Sequence, residues 1–341
     1  MHTYLFEMLE CPACHGALDW TITARQRDRL MEGEARCRIC AASYPLRDGI
    51  GLFLTPDLPR EDLWQQADSH LTRYLREHPE QERRLMQVPP ESLNPADQFF
   101  RSLVLEERGN YTEAQALASL AQTGLYTQDY LSCWQQQCDY LLQQLSASDG
   151  PIIDLASGRC GLVEKLAQQT QRPLVASDFS PRVLQNDRRR LESLDLYDRI
   201  SLLAFDARRT PFRSGALPTL TTNLGLPNIR EPDDVLRELH RIVSGSFLSL
   251  SYFYPEEDDA NAQQIRELGI ESFLYRRTTL EAFAEAGWNA EVENAALGMA
   301  RPTPKGEALE GAAIDSLPVA ETTLEWCVLS ATPNGNPHDT P

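Results

Sequence analysis

Apolar residues repeat with two different periods along this chain. Between residues 61 and 146 they recur every three or four positions, which predicts amphipathic helices, most clearly over 127–146. From residue 151 onward, short apolar runs alternate with helix-like stretches, which predicts an α/β domain with a mostly parallel sheet. The predicted strands cover residues 152–155, 173–178, 200–206, 217–224, 246–254, 289–297 and 322–330, and the predicted helices cover 61–77, 162–169, 181–192, 233–241 and 280–286.

Four polar residues stand where predicted strands end. Asp154, Asp178, Asp206 and Asn223 come at the ends of the first four strands of the α/β part. Ligands of such sheets bind beyond the carboxyl ends of the strands. A carboxylate about 20 residues after a small-residue turn suits ribose hydroxyls, and the next one suits a base amino group. A single carboxylate of this kind is usually a helix cap or a solvated charge, but three in succession predict a nucleoside site.

Small residues follow the first strand of the α/β part. The segment from Ala156 to Gly161 reads Ala-Ser-Gly-Arg-Cys-Gly and leads into a predicted helix. Small side chains let the backbone approach a ligand, and the N–H groups at a helix N-terminus point towards it. The turn lacks the G-x-G-x-x-G arrangement of dinucleotide-binding enzymes, which argues against a dehydrogenase.

Two Cys-x-x-Cys pairs lie near the N-terminus, Cys11 with Cys14 and Cys37 with Cys40. Two such pairs close a tetrahedral shell of four thiolates, which suits Zn²⁺. The shell has no open position, so the predicted site is structural. The neighbouring His15 is interpreted as a bystander. Four unrelated thiols, or two redox pairs, are the alternative.

Composition limits the partners of the protein. The net charge is −18, which disfavours nucleic acid except at a local patch. The sequence contains no apolar run long enough to span a membrane, and its first residues lack the features of a signal peptide. The cysteines are distributed as in a reduced protein with one metal site, so a cytoplasmic location is expected.

Four motifs resemble those of the class I S-adenosylmethionine-dependent methyltransferases, in order and in spacing. They are Asp154-Leu-Ala-Ser-Gly-Arg-Cys-Gly161, Ala176-Ser-Asp-Phe-Ser-Pro-Arg-Val-Leu184, Phe205-Asp-Ala-Arg-Arg-Thr-Pro-Phe212 and Thr222-Asn-Leu-Gly-Leu-Pro-Asn-Ile229. The resemblance implies a Rossmann-like sheet of seven strands, mostly parallel, and S-adenosyl-L-methionine as cofactor.

The resemblance also implies roles for individual residues. Asp154 and Gly161 bound the cofactor turn, in which Ala156, Ser157 and Gly158 approach the methionine part. Asp178 and Phe179 take the ribose and flank adenine, Asp206 and Ala207 meet the adenine edge, and Asn223 lies near the sulfonium. Cys160 departs from the family, which often has glycine there, and it narrows the turn. No catalytic residue is assigned, because methyl transfer from a sulfonium depends mainly on positioning.

The N-terminal cysteine segment, with Tyr44-Pro-Leu-Arg-Asp-Gly-Ile50 after the second pair, resembles the small zinc-ribbon proteins that partner and activate tRNA and protein methyltransferases. This resemblance implies a possible protein partner through the ribbon. The expected domains are a zinc ribbon over 1–56, a helical linker or insertion over 57–126, a methyltransferase domain over 127–330 and a disordered tail over 331–341.

The methyl acceptor is not readable from the sequence. Candidates for its pocket are Asn223, Asn228 and the run Tyr252-Phe-Tyr-Pro255, with Tyr126 or Tyr130 as a roof. Core packing is the equal alternative for the run at 252–255 and the favoured interpretation of Tyr126 and Tyr130. Arg208, Arg209 and Arg213 border the site and would face an anionic substrate if they are not simply solvated. A small-molecule or protein acceptor is favoured. One alternative acceptor is a ribosomal RNA or tRNA base, since a ribbon before a methyltransferase domain also resembles the bacterial 23S ribosomal RNA guanine-N1 methyltransferases. The other alternative is that the chain is a catalytically inactive, methyltransferase-like zinc-binding interaction protein.

Overall fold

The computed structural model describes residues 1–57, 71–146 and 149–335. Its centre is one sheet in the order β1-β2-β3-β4-β7-β6-β5-β8-β9-β11-β10. The strands are β1 (Leu18–Gln26), β2 (Arg29–Cys37), β3 (Ser43–Arg47), β4 (Ile50–Phe53), β5 (Ile152–Asp154), β6 (Leu174–Asp178), β7 (Ile200–Phe205), β8 (Leu217–Asn223), β9 (Val243–Phe253), β10 (Trp288–Ala300) and β11 (Thr322–Pro333).

The C-terminal seven strands form the predicted α/β sheet. Strands β5 to β9 pair in parallel, and β11 pairs antiparallel with both β9 and β10. The strand order reverses beside β5, which places the switch point of the sheet at the turn after this strand. The expectation of a seven-stranded, mostly parallel sheet is wrong for the sheet as a whole. It has 11 strands, because the four N-terminal strands extend it as an antiparallel end.

The N-terminal strands join the sheet through β4, which pairs in parallel with β7. The sequence reason is visible in the two segments: Ile50-Gly-Leu-Phe53 is almost all apolar, and every residue of β7 is buried. Arg29, on β2, adds a polar contact. Its guanidinium donates to the carbonyls of Tyr197 and Ile200, at 2.5 and 3.1 Å, and lies 3.7 Å from the centre of the Tyr197 ring.

Alternating side chains of the central strands enter two separate cores, one on each face of the sheet. Ile153 and Leu203 belong to the core that also holds the N-terminal residues Met1, Leu5 and Leu9. Their neighbours in the strands belong to the second core, which packs against the helices on the other face. The N-terminal segment and the α/β part therefore share one hydrophobic core.

The helices are α1 (Pro79–Gln87), α2 (Pro95–Glu107), α3 (Tyr111–Leu125), α4 (Gln128–Leu145), α5 (Gly161–Gln169), α6 (Pro181–Ser193), α7 (Pro232–Ile242), α8 (Asp259–Leu268) and α9 (Arg276–Glu285). Residues 71–77 are also helical, and the rest of the helix predicted over 61–77 falls on residues outside the described part of the chain. Helix α8 was not predicted. Across the described ranges, no helix is both long and apolar enough to cross a bilayer.

The segment between β10 and β11 is tied to the helical middle of the chain. The Asp97 carboxylate of α2 accepts hydrogen bonds from the N–H groups of Glu307 and Ala308, at 2.9 and 2.8 Å. Strand β11 continues to Pro333, which takes up the first residues of the expected tail, and residues 336–341 of that tail are outside the described residues.

Candidate functional site

The turn after β5 is fixed by hydrogen bonds to the neighbouring strand. The Ser157 N–H donates to the Ser177 carbonyl at 2.7 Å, and the Ser157 hydroxyl donates to the Asp154 carbonyl at 3.0 Å. Ala156 and Gly158 have φ values of 50° and 51°, in the left-handed region. This reversal of the chain brings the Gly158 N–H to the Asp178 carboxylate, at the carboxyl edge of the sheet.

Asp154 is a buried carboxylate beneath this turn. Its Oδ1 accepts a hydrogen bond from the Thr221 hydroxyl at 2.7 Å, and its Oδ2 has no hydrogen-bond partner within the described residues. Burial raises the pKa of Asp154 to about 7, against the lowering effect of the Thr221 hydrogen bond. A buried oxygen without a donor is a position where a ligand or water N–H or O–H group fits.

Asp178, at the end of β6, is joined directly to the turn. Its Oδ2 accepts from the Gly158 N–H at 3.2 Å, and its Oδ1 accepts from the Ser180 N–H at 2.9 Å. Phe179 follows and is partly exposed.

Asp206, directly after β7, is held by an arginine on the same loop. Its Oδ1 accepts from the Arg208 backbone N–H and Nε, both at 2.9 Å, and its Oδ2 accepts from Arg208 Nη2 at 2.7 Å. The same guanidinium pairs with Glu231 at 3.0 Å. Ala207 lies between them and is buried. The Asp206 carboxylate thus accepts three hydrogen bonds from Arg208, which its sequence position did not predict.

Asn223, at the end of β8, contacts the helix that covers the edge of the sheet. Its Oδ1 accepts a hydrogen bond from Trp134 Nε1 of α4 at 3.2 Å. The Lys165 ammonium lies 5.0 Å from the centre of the Trp134 ring. Asn228 is exposed, and its amide donates to the Leu224 carbonyl. Asn223 therefore lies under a helix, whereas Asn228 faces outward.

The start of α5 leaves space in front of the turn. A Cβ atom built on Gly161 would meet no other atom within 4 Å. Cys160 precedes it with a φ of 57°, the conformation that favours glycine. The Cys160 side chain is buried in the core, and burial together with the charge of Asp187 on α6 raises the pKa of its thiol. The thiol therefore points into the protein and does not occupy the space in front of Gly161.

Helix α2 lies against the same turn, a contact that the sequence did not predict. Arg159, within the turn, forms an ion pair with Glu106 and lies 5.6 Å from the centre of the Phe99 ring. Its carbonyl accepts from Arg190 of α6 at 2.8 Å. The helical segment thus closes one side of the candidate site. In the sequence this contact is indicated only by the charges of Glu106 and Arg159. These residues are 53 positions apart, so the sequence alone does not show that they pair.

The four N-terminal cysteines converge. Their sulfur atoms all lie within 4.8 Å of one another, with 3.6 Å from Cys11 to Cys40 and 3.4 Å from Cys14 to Cys37. Zn–S bonds of about 2.3 Å in a tetrahedron place sulfurs about 3.8 Å apart, whereas a disulfide needs about 2.05 Å. The donor set and its spacing fit Zn²⁺. The predicted metal residues are therefore brought together.

Two family models match this chain in separate segments. Residues 152–245 match the methyltransferase domain, and residues 2–49 match the Trm112p-like proteins. The chain carries a methyltransferase domain behind a Trm112p-like domain. Both resemblances drawn from the motifs are confirmed.

Relatives of the methyltransferase domain include two bacterial ubiquinone/menaquinone biosynthesis C-methyltransferases named UbiE. The protein of Rickettsia prowazekii is 25% identical over 121 residues, which cover 33% of this chain and 49% of the relative. That of Pseudoalteromonas translucida is 28% identical over 111 residues, which cover 31% and 44%. The chain spans about half the length, or less, of these relatives.

Solved structures overlap with the chain at low scores. The YcgJ protein from Bacillus subtilis shares 11% identity at a TM-score of 0.47, covering 59% of this chain and 100% of that one. Geranyl diphosphate C-methyltransferase from Streptomyces coelicolor A3(2) shares 14% at 0.44, covering 67% and 83%. These overlaps carry no functional information. The order of the strands is the independent evidence for the methyltransferase fold.

Proposed function

We propose that this chain is an S-adenosylmethionine-dependent methyltransferase with a zinc-stabilised ribbon built into its sheet. The observation that supports this most directly is the strand order, which gathers Asp154, Asp178, Asp206 and Asn223 along one edge of the sheet, beside a turn with open space in front of it. We also propose the division of the chain into a ribbon over 1–56, a helical segment over 57–126 and a methyltransferase domain over 127–330.

The proposed cofactor contacts follow the positions along this edge. The turn residues Ala156, Ser157, Gly158 and Gly161 line the methionine part. Beneath it lies Asp154 Oδ2, to which no described residue donates a hydrogen bond. Asp178 accepts from the ribose hydroxyls, and Phe179 flanks the adenine. Asp206 and Ala207 meet the adenine edge, and Asn223 lies near the sulfonium.

When bound, the cofactor would supply a methyl group on a sulfonium, ready for direct displacement by a nucleophile. The protein would then act by positioning and by excluding water. Trp134 holds Asn223 in one orientation, and the Arg159–Glu106 ion pair holds the turn against α2. The neutral form of Asp154 would donate a hydrogen bond and the ionised form would accept one, and burial brings both forms within reach near pH 7.

We favour a small-molecule or protein acceptor over RNA. The three arginines that border the site are engaged within the protein: Arg208 with Asp206, Arg209 with Asp57, and Arg213 with the Leu9 carbonyl. Because each of these guanidiniums already has a partner within the protein, the three arginines do not favour a phosphate-binding patch. The net charge of the protein is also negative, which disfavours RNA. The UbiE relatives are C-methyltransferases of quinone biosynthesis, which supports a small molecule, but they match only a third of this chain.

Calorimetric titration of the zinc-loaded full chain with S-adenosylmethionine tests the proposal. Saturable binding is expected, and Asp178→Asn should weaken it about tenfold, because hydrogen bonds to a charged group contribute about 1.5–3 kcal/mol. Asp149→Asn is the matched control, since Asp149 is exposed before β5, at the opposite edge of the sheet. If the folded protein does not bind S-adenosylmethionine, the proposed enzymatic function is wrong and a non-catalytic interaction protein is favoured.

A further inference from the structure

A pocket lined by tyrosines lies beside the end of β9, outside the cofactor contacts proposed above. Tyr252 and Tyr254 come from the end of this strand, Tyr126 and Tyr130 from the start of α4 and the residues before it, and Asp315 from the segment between β10 and β11. We call this set the tyrosine pocket. It encloses about 30 Å³, room for about two water molecules.

The rings of the tyrosine pocket support one another. Tyr126 and Tyr130 are stacked with their centres 4.7 Å apart, and Tyr252 and Tyr254 meet edge to face at 5.9 Å. Trp326 of β11 links the two pairs, since its ring lies 4.7 Å from Tyr130 and 5.1 Å from Tyr252, edge-on to both. Five aromatic rings therefore form one rigid group around a small polar space.

The polar groups of this pocket are incompletely paired. Asp315 Oδ2 accepts a hydrogen bond from the Tyr126 hydroxyl at 3.0 Å, and no basic side chain of the described residues lies within 4.0 Å of its carboxylate. Burial raises the pKa of Asp315, against the lowering effect of the Tyr126 hydrogen bond. The Tyr254 hydroxyl is buried and has no partner within the described residues. Burying a carboxylate and an unpaired hydroxyl costs free energy, so the Asp315 carboxylate and the Tyr254 hydroxyl beside one cavity indicate a site for a polar ligand.

We propose that the tyrosine pocket binds an alkylammonium group of the methyl acceptor. Aromatic faces attract organic cations, and a carboxylate without a cationic partner supplies the opposite charge. The Tyr254 hydroxyl supplies a hydrogen-bond acceptor for any N–H group of the same cation. The enclosed space matches a single ammonium group with small substituents and excludes a stacked nucleobase.

The location of the pocket connects it to methyl transfer, and in this respect the inference rests on the proposed function. Tyr130 precedes Trp134 by four residues on α4, so the two side chains lie on the same helix face, and Trp134 contacts Asn223. Tyr252 lies on β9 two residues beyond Leu250, the strand partner of Asn223. An acceptor anchored in the pocket would extend from there towards Asn223.

Arg301 is the one basic residue that lines the pocket. It is exposed, and within the described residues it forms no ion pair with Asp315. A guanidinium in contact with water stays solvated at the rim, whereas the carboxylate and rings lie deeper. The bound cation therefore lies on the Asp315 side of the pocket.

Methylammonium chloride, titrated into the zinc-loaded full chain at constant chloride and followed by ligand-observed NMR, tests the inference. Saturable binding is expected, with methanol, a neutral compound of similar size, binding at least tenfold more weakly. Asp315→Asn should weaken methylammonium binding about tenfold. Glu310→Gln is the matched control, because it removes one charge from an exposed position of the same segment and should leave binding unchanged.

Tyr252→Leu provides a second variant should Asp315→Asn fail to fold, and it should also weaken binding about tenfold through loss of one aromatic face. Calorimetry with S-adenosylmethionine on the same preparation separates the two proposals. A protein that binds the cofactor but shows no saturable methylammonium binding, or binds methanol equally well, overturns the inference and leaves the proposed function intact. A protein that binds methylammonium but not the cofactor overturns the acceptor role of the pocket together with the proposed function.

Discussion

Replacing Arg29 with methionine is expected to destabilise the joint between the zinc ribbon and the methyltransferase sheet. Arg29 is 6% exposed, and its guanidinium donates to the carbonyls of Tyr197 and Ile200 while lying over the Tyr197 ring. Methionine keeps much of the apolar stem but removes the guanidinium that donates to both carbonyls. The change therefore removes the polar contact and largely preserves the packing.

The expected cost follows from these contacts. Two hydrogen bonds from a charged donor contribute about 1.5 kcal/mol each at the low end of their range, and a buried cation–π contact adds about 1 kcal/mol. Removing the guanidinium also removes its own cost of burial, which offsets part of the loss. A net destabilisation of about 3 kcal/mol is expected.

Urea denaturation, followed by far-UV circular dichroism and by tryptophan fluorescence, measures this cost. One transition is expected, because the ribbon and the sheet share a hydrophobic core. Arg25→Met is the matched control, since Arg25 is exposed on β1 of the same ribbon, and it should change the free energy of unfolding by less than about 0.5 kcal/mol. A loss below about 1 kcal/mol for Arg29→Met, or an equal loss in the control, would refute the reasoning.

Two further predictions concern pH and the cofactor turn. Burial and the nearby Arg29 lower the pKa of His2 to about 4, so the folded state favours the neutral imidazole. The resulting stability should be lost as the pH falls from about 6.5 to about 4, by at most about 3 kcal/mol. Thermal melting should show a shallower pH dependence for His2→Gln than for the unchanged protein, and identical profiles would contradict the prediction. Cys160→Gly should change the affinity for S-adenosylmethionine less than threefold in calorimetry, because the thiol is buried in the core. Relief of the positive φ should offset the lost packing to within about 1 kcal/mol. Tenfold tighter binding would instead show that the thiol obstructs the turn.

The sequence predicted the α/β part well, because the period of its apolar residues is a local signal. The helix expected over 127–146 is Gln128–Leu145, and the strand expected over 217–224 is Leu217–Asn223. The positions of Asp154 and Asp178 at strand ends follow from the same local pattern. The roles of these residues in cofactor binding stay predictions.

Long-range pairings were not predictable in the same way. Strand β4 contains only four residues, and no local feature of Ile50–Phe53 indicates that its partner is β7, about 150 positions later. Asp315 stands in the segment between β10 and β11, nearly 190 positions after Tyr126, and only the fold brings the two together. Such contacts depend on the topology of the whole sheet.

The pairing of β4 with β7 fixes the stoichiometry of ribbon and methyltransferase. Each sheet has its own ribbon on the same chain, so the local concentration of the ribbon does not depend on expression level and dilution does not remove it. A separate protein that offered a strand to this edge would first have to displace β4. The two halves are thus present in equal numbers on every chain.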